Sequence, residues 1–577
     1  MGIRMEQSKK TSGTVLCVAV LLLLFIMLCV RAPYGFDLTD EPYYSVLPYR
    51  LVLGDRILVD MWEVHQLSGL VVLPFLRGFL LITGGDMTGV MLYFRYVLIV
   101  VQMLVALYAY FVLRRKSGQI AALLVAGFTL MHAHYGLNGF SYNMLGPLLV
   151  LLTALTCFDA LDGTRMPLKM VLSGACYALS VLVYPYFIIS LPVWIVFWPV
   201  LLKKHRAERG FMRTLCWWFA GLAAVTALFL TYVLVKSSGA DLLANLRGII
   251  SDPDHERVNA LRVLGSYANA TRVLFGPVFL GAVALLVWGV ITCFVKNMER
   301  QRLFRRMGFL GAAALLAAAV VWLITYDYPD FHKINLTAMT IALVAPGLYF
   351  LTGRKGNRAI LLFFLGCALS IAVQLGSNTR IRASSGALLP ASLGAALYLF
   401  DGARMLQMND KQSRVFRALA TVACAALLMI TAGLRLTSVY RDEPLPFLNK
   451  TISTGPAKGI ITTEKRAGQY EILRTEIMEN APESGHILIT RLMPIGYLFT
   501  GLSPATPSTF GMTMDSQWLS MYLAQHPERT PDYIFAVGTD YGVSNELALE
   551  GVAQYKNDPA YETRSILGGT VLIRTAD

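Results

Sequence analysis

The sequence predicts a polytopic α-helical membrane protein followed by a small C-terminal α/β domain, and three observations carry that expectation. Of 577 residues, 56% are hydrophobic and only 15% charged, with a mean hydropathy of +0.56, a balance foreign to soluble multidomain proteins. Apolar runs of the roughly 20 residues needed to cross about 30 Å of hydrocarbon recur from Thr14 to Arg435 and then stop. Between these runs the basic residues fall in short clusters: Lys9-Lys10, Arg114-Arg115-Lys116, Arg165 with Lys169, Lys203 to Arg213, Lys296 to Arg306, Arg354-Lys355 with Arg358, and Arg404 to Arg417.

That distribution gives the formal charge of +14 a topological meaning and excludes a nucleic-acid partner, which would ask for one basic soluble face. With every cluster on the cytoplasmic side, the N-terminus lies inside, the chain makes about 13 spans, and the C-terminus lies outside. The expected setting is a plasma membrane, with its lipids as partners. Thr14 to Val30 reads as an uncleaved first span, because no small-x-small cleavage site follows it cleanly.

The first span leads into an outer loop from Arg31 to Gln66, long, aromatic and acidic. Leu67 to Thr83 is apolar but carries Pro74 and Arg77, and is expected as an interfacial helix. Span 2 is Tyr93 to Leu113. Spans 3 and 4 flank an outer turn from His132 to Asn143, and spans 5 and 6 form a hairpin with its tip near Tyr184-Pro185-Tyr186. A second long outer loop runs from Lys236 to about Arg272. Later outer turns hold Tyr326 to Lys333 and Gly376 to Arg382, and the last span ends near Arg435. Trp194, Trp198, Trp217 and Trp218 are expected in interfacial belts.

The division is therefore a transmembrane domain over 1–435, with its acidic outer loop at 31–66, and an extracytoplasmic α/β domain over 436–577. In the latter, short β-rich runs (GIITT, HILIT, DYIFAV, TVLIR) alternate with the amphipathic stretches Lys465 to Asn480 and Asp515 to Gln525. It holds no cysteine, so no disulfide framework is expected there. It also lacks a Gly-rich phosphate loop, and its expected role is to cap or help form an acceptor site.

Chemistry is expected in the first outer loop, where Asp37, Asp40, Glu41, Asp55, Asp60 and Glu63 crowd together. Asp40 and Glu41 follow span 1 closely, so one of them, half desolvated, is suited to act as a base. A solvated acidic loop that merely stays outside fits the same residues.

A first span, an outer loop with the pair Asp40-Glu41, Tyr43-Tyr44 just after it, the turn Gly54-Asp55 and then His65-Gln66 resembles the GT-C superfamily of membrane glycosyltransferases, in particular the protein O-mannosyltransferases and the aminoarabinose transferases of lipid A. The motif covers Asp37 to Gln66; the span count and outer C-terminal domain resemble the superfamily over the whole chain, oligosaccharyltransferase catalytic subunits included. The resemblance implies a GT-C-like fold and an enzyme that takes a hexose or pentose from a polyprenyl-phosphate-linked donor and passes it, with inversion, to a glycan, lipid or protein acceptor on the outer face. It implies Asp40 as base, Glu41 as its neighbour and Asp37 in reserve.

A departing lipid phosphate needs positive charge on the outer side, which singles out Arg380, Arg382 and Lys333, with His332 as a further donor; lipid headgroups are an equal use for the arginines. Tyr43, Tyr44, Glu63, His65, Tyr142 and Asn143 are expected to line the substrate pocket. His132 and His134 with Glu63 or His65 form one arrangement for a divalent cation, the candidate cofactor, although no ligand spacing defines a metal site. Two other readings share the substrate class: an O-antigen polymerase or ligase, for which the loop from Lys236 to Arg272 supplies Arg247, Arg257 and Arg262, and a lipid-linked-glycan transporter, which would place ionisable groups at mid-membrane. Sugar, acceptor and carrier depend on pocket shape and stay open at this level.

Overall fold

The computed structural model describes residues 2–162, 165–201, 210–251, 260–327, 330–353, 355–377, 381–405, 410–490, 492–510, 516–538 and 552–575. The chain is a helical membrane protein with a small C-terminal sheet: among the described residues eleven helices are long and apolar enough to cross a membrane. The first helices are α1 (Gly2–Arg31), α2 (Asp40–Val52), α3 (Gln66–Thr83), α4 (Val90–Ser117), α5 (Gln119–Met131) and α6 (Tyr142–Asp162).

The difference from about 13 expected spans has identifiable causes. α5 has only 13 residues between the left-handed Gly118 and the extended His132. Pro185–Leu201 is likewise a shorter apolar helix, and Leu389–Met405 has 17 residues. Conversely α3, expected at the interface, reaches spanning length and apolarity despite Pro74.

Small residues set the helix packing. A Cβ on Gly174 would collide with the Trp218 carbonyl oxygen, and one on Gly221 with the Val171 carbonyl oxygen, so the helices Met166–Val183 and Phe211–Lys236 meet backbone to backbone. Trp194, Trp198 and Trp218 are buried and pack together with ring centroids 5.8–6.0 Å apart. The interfacial belt expected for them is corrected: they are a core cluster, and Trp217 alone of the four is exposed.

The acidic loop is not a solvated loop. From Glu41 to Leu51 every residue of α2 is buried, and so are Asp37, Asp55, Asp60 and Glu63. Burial on this scale requires partners for each charge, and the C-terminal region supplies several of them.

That region contains a two-stranded antiparallel ribbon, β1 (Lys450–Thr451) with β2 (Ile461–Thr462), and a five-stranded mixed sheet. The sheet comprises β3 (His486–Ile489), β4 (Ser503–Pro504), β5 (Tyr533–Val537), β6 (Tyr561–Ile566) and β7 (Gly569–Arg574), in the order β4-β3-β5-β7-β6. β3 pairs parallel with β4 and β5, Ile487 standing opposite Tyr533, while β7 runs antiparallel to both β5 and β6. The expected strands and amphipathic helices appear, the helices as Glu464–Asn480 and Ser516–Gln525; Asp515 lies outside the described residues. β6 was not anticipated, because YETRSI presents mostly exposed side chains and no apolar run. One sheet face shares a core with the membrane part: Ile489, Phe535 and Val571 belong to the same buried cluster as Phe36, Val72 and Val90.

Candidate active site

α2 starts where it does because Asp37 caps it. One oxygen of Asp37 accepts from the Asp40 and Glu41 backbone N–H groups at 2.7 and 3.2 Å. The other accepts from Thr39 N and Thr39 Oγ1 at 3.2 and 2.9 Å. A carboxylate on the first N–H groups of a helix is favourable both as a cap and against the helix dipole. Asp37 is thereby occupied in building the site.

Asp40, in the first turn, turns toward the segment that leaves the last membrane helix. Tyr440 donates its hydroxyl to Asp40 Oδ2 at 2.5 Å, and the Arg441 guanidinium lies 2.9 Å from the same oxygen. Arg441 also donates to Thr39 Oγ1 and covers the Tyr440 ring. Only 13% of the Asp40 side chain is exposed. Burial, reinforced by the charge of Asp37, pushes its carboxyl up to about 6, against the opposing pull of Arg441 and the Tyr440 hydrogen bond.

The wall continues through aromatic contacts. Tyr135 stacks on Tyr440 at 6.0 Å, and His332 meets the other side of the contact chain edge-on at 5.1 Å from Tyr135. Tyr135 and Arg441 both adopt positive φ, 55° and 51°, uncommon for non-glycine residues and a recurrent mark of functional backbone. Tyr135 N is held by the Asn335 side chain at 3.0 Å.

Glu41 points elsewhere. Both of its oxygens are held at 2.6 Å by the Arg95 fork, which further donates to the carbonyls of Ala32 and Gly35. Both side chains are nearly inaccessible. Glu41 thus fixes the start of α2 to α4 beside Asp40 rather than lining an opening.

Glu63 lies deeper, accepting from Thr509 N at 2.7 Å and from Arg50 at 3.4 Å, with the Tyr43 hydroxyl 3.5 Å away; burial raises its carboxyl above the usual range. His65 stacks on Tyr142 at 3.7 Å, and Tyr44 meets Tyr142 edge-on at 5.4 Å. Tyr142 and Asn143, at the start of α6, are half-buried. Lys333 pairs with Asp330 at 3.4 Å. Arg380 lies outside the described residues, and of Arg382 only the backbone, in the helical turn Ile381–Ser384, is described.

His132 and His134 are buried, and burial drives both imidazoles down to about 3, so they are neutral. His132 feels the charge of Arg435, and His134 that of His132 and then His332, while the oxygens of Glu63 already serve Arg50 and Thr509. The metal arrangement drawn from these histidines with Glu63 or His65 is corrected on that ground. Among the described residues no group of three or more His, Cys, Asp and Glu side chains is placed to hold a metal ion.

The other loop acids anchor the C-terminal region. Arg50 donates to Asp55 at 2.6 Å and to the carbonyls of Asp60 and Thr506 at 2.7 and 3.0 Å. Arg529 pairs with Asp55 at 2.8 Å and Asp60 at 3.3 Å. The helix Gly239–Ile250 joins as well: Asn245 accepts from the Trp62 indole at 3.0 Å, and the Trp518 indole donates to Gly248 O at 3.0 Å. Arg257 lies outside the described residues.

Tyr440, Arg441 and Tyr135 escaped the sequence reading. Nothing in their local spacing marks them. Arg95 carried a signal that could have been used, since a charged residue inside an apolar span demands an internal partner.

The chain matches no protein-family model, and no curated protein matches it. Among solved structures it is similar to the oligosaccharyltransferase of Archaeoglobus fulgidus in complex with zinc and sulfate, at 12% identity and a TM-score of 0.48, over 97% of this chain and 73% of that one. It is similar to AglB, the archaeal oligosaccharyltransferase from Archaeoglobus fulgidus with an inhibitory peptide and a dolichol-phosphate, at 13% identity and a TM-score of 0.45, over 97% of this chain and 74% of that one. ArnT from Cupriavidus metallidurans bound to undecaprenyl phosphate gives 13% identity and a TM-score of 0.46, over 98% and 99% of the two chains. The structure itself establishes a multi-pass helical membrane protein in which the segment leaving the last membrane helix holds one carboxylate of the first loop, Asp40, between a tyrosine and an arginine.

Proposed function

We propose that this protein is a glycosyltransferase of the GT-C type, which moves a sugar from a polyprenyl-phosphate-linked donor to a glycan, lipid or protein acceptor at the outer face of a plasma membrane, with Asp40 as general base. The N-terminus lies in the cytoplasm in this reading, and residues 436–577 form the outer domain. The observation that carries it is the enclosed Asp40 carboxylate, pushed up to about 6 and held by Tyr440 and Arg441. A base with that value is ionised at neutral pH yet retains proton affinity, the compromise that general-base catalysis favours.

Tyr440 and Arg441 both engage Oδ2, and among the described residues no hydrogen bond reaches Oδ1, the atom that takes the acceptor's proton. As the acceptor oxygen bonds to the anomeric carbon, the bond from that carbon to the phosphate oxygen breaks, and the lipid phosphate leaves with the electron pair. It departs without a strong general acid. Arg441, about half-exposed, offers a guanidinium fork suited to phosphate oxygens beside the reacting centre. Asp37 and Glu41 position the turn that carries Asp40. Lys333 and His332 stand on the helix that borders Tyr135 and are assigned to the donor side, together with Arg380 and Arg382; the aromatic group Tyr43, Tyr44, His65 and Tyr142, with Asn143 and Glu63, is assigned to the sugar and acceptor side.

The test is transfer by the purified full chain from polyprenyl-phosphate sugars to membrane acceptors, comparing wild type with Asp40→Asn. Loss of transfer in a variant that elutes and melts like wild type supports the assignment; equal transfer by both removes Asp40 from the mechanism.

A further inference from the structure

A cavity of about 890 Å³ opens where α1, α4 and α5 meet the helices Leu389–Met405 and Asp410–Thr437. Its place in the fold is fixed by α4, which carries Arg95, the partner of Glu41, near one end and Arg114 near the other. Their spacing along the helix corresponds to about 28 Å, close to the thickness of the hydrocarbon layer. The cavity therefore sits at the membrane surface opposite the Asp40 site.

Three arginines converge on it from two helices. Arg114 donates to Thr14 Oγ1 at 3.0 Å and lies over the Phe111 ring. Arg115 is neutralised by Asp159 at 2.9 Å, whereas among the described residues no carboxylate pairs with Arg114 or Arg417. Arg417 is exposed. Beside the cations the lining is apolar at Val15, Ile120 and Phe400. α1 leaves this side open to lipid, since only 17% of its apolar stretch is buried.

Positive charge at this surface needs no special cause. A cavity lined by two guanidinium groups without a carboxylate partner, by apolar side chains beside them and by a helix largely exposed to lipid is a more specific arrangement, and it matches an anionic amphiphile. We propose that this cavity binds an anionic phospholipid, its phosphate between Arg114 and Arg417 and the upper part of its acyl chains against Ile120 and Phe400. The assignment is independent of the transferase reading.

The experiment is native mass spectrometry of the full chain in detergent, titrated in parallel with phosphatidylglycerol and phosphatidylcholine. Wild type is expected to retain phosphatidylglycerol preferentially. Arg114→Gln with Arg417→Gln should weaken that retention roughly 10- to 30-fold, the effect of two basic side chains at a lipid surface, and Arg417→Gln alone, an exposed change unlinked to the helix contacts of Arg114, roughly 5-fold. Equal retention of both lipids by wild type, or undiminished phosphatidylglycerol binding by a monodisperse Arg417→Gln variant, overturns the proposal. Displacement of the lipid by millimolar inorganic phosphate alone overturns it in favour of a free-phosphate site, whereas retention under phosphate supports the lipid. Sugar transfer is not the readout, so the outcome stands whatever the fate of Asp40.

Discussion

Asp40 and Tyr440 share a 2.5 Å hydrogen bond across 400 residues of sequence. The bond closes a ring: α1 delivers the chain to the turn at Asp37, the last membrane helix delivers it to Tyr440, and the two ends of the membrane part meet at one carboxylate. What distinguishes Asp40 from the five other acids of the loop is that its partners leave it reachable. Asp55, Asp60 and Glu63 are buried against arginines and backbone of the C-terminal region, Glu41 against Arg95, and Asp37 against its own helix.

Asp40→Asn keeps the size of the side chain and removes the proton acceptor. Under the proposed mechanism transfer should fall by about 10²- to 10⁴-fold, the usual contribution of a positioned base. The rate of sugar transfer to a membrane acceptor measures it, with the melting temperature as the control for folding.

The pH profile should report the same carboxyl. Asp40 is the base only when ionised, so transfer should rise as pH passes upward through about 6 and be lost below it. His132 and His134, neutral down to about 3, cannot supply that limb. Tyr440→Phe removes a donor that stabilises the charged form and should move the limb upward by roughly one pH unit or more; a limb that stays in place would assign it to another group. Stability runs with the opposite sign. Because the folded value lies above the unfolded value near 4, protonation favours the folded state, and the protein should gain stability from this group as pH falls from about 6 toward 4.

Arg95→Met strands a buried carboxylate, Glu41, beside the site. Loss of one partner of a buried ion pair costs about 3–5 kcal/mol, so the variant should show a large drop in thermal stability in detergent. Glu41→Gln with Arg95→Met should recover much of it, which separates a positioning role for Glu41 from direct chemistry.

Arg529→Ala breaks the contacts of the C-terminal region with Asp55 and Asp60. Asp55 keeps Arg50 and Asp60 keeps Arg56, so neither carboxylate is stranded and the cost should be smaller, about 1.5–3 kcal/mol, here directed at docking. Limited proteolysis should release fragments of 436–577 earlier than in wild type while the membrane helices stay protected. Unchanged cleavage would show that the shared apolar core around Phe36, Val72 and Phe535 suffices by itself.

The sequence alone determined the features set by local periodicity and composition: the membrane class, most of the spanning helices, the strands HILIT, DYIFAV and TVLIR, and the concentration of acids around Asp40. Those follow from hydropathy over a few turns or from alternation over a few residues. Tertiary structure decided which acid is reachable and which are clamped, that Trp194, Trp198 and Trp218 form a core rather than a belt, and that Tyr440, Arg441 and Tyr135 surround Asp40. The reason is physical. A carboxylate's chemistry is set by what desolvates and hydrogen-bonds it, and here those groups come from opposite ends of the chain, beyond the reach of any local pattern.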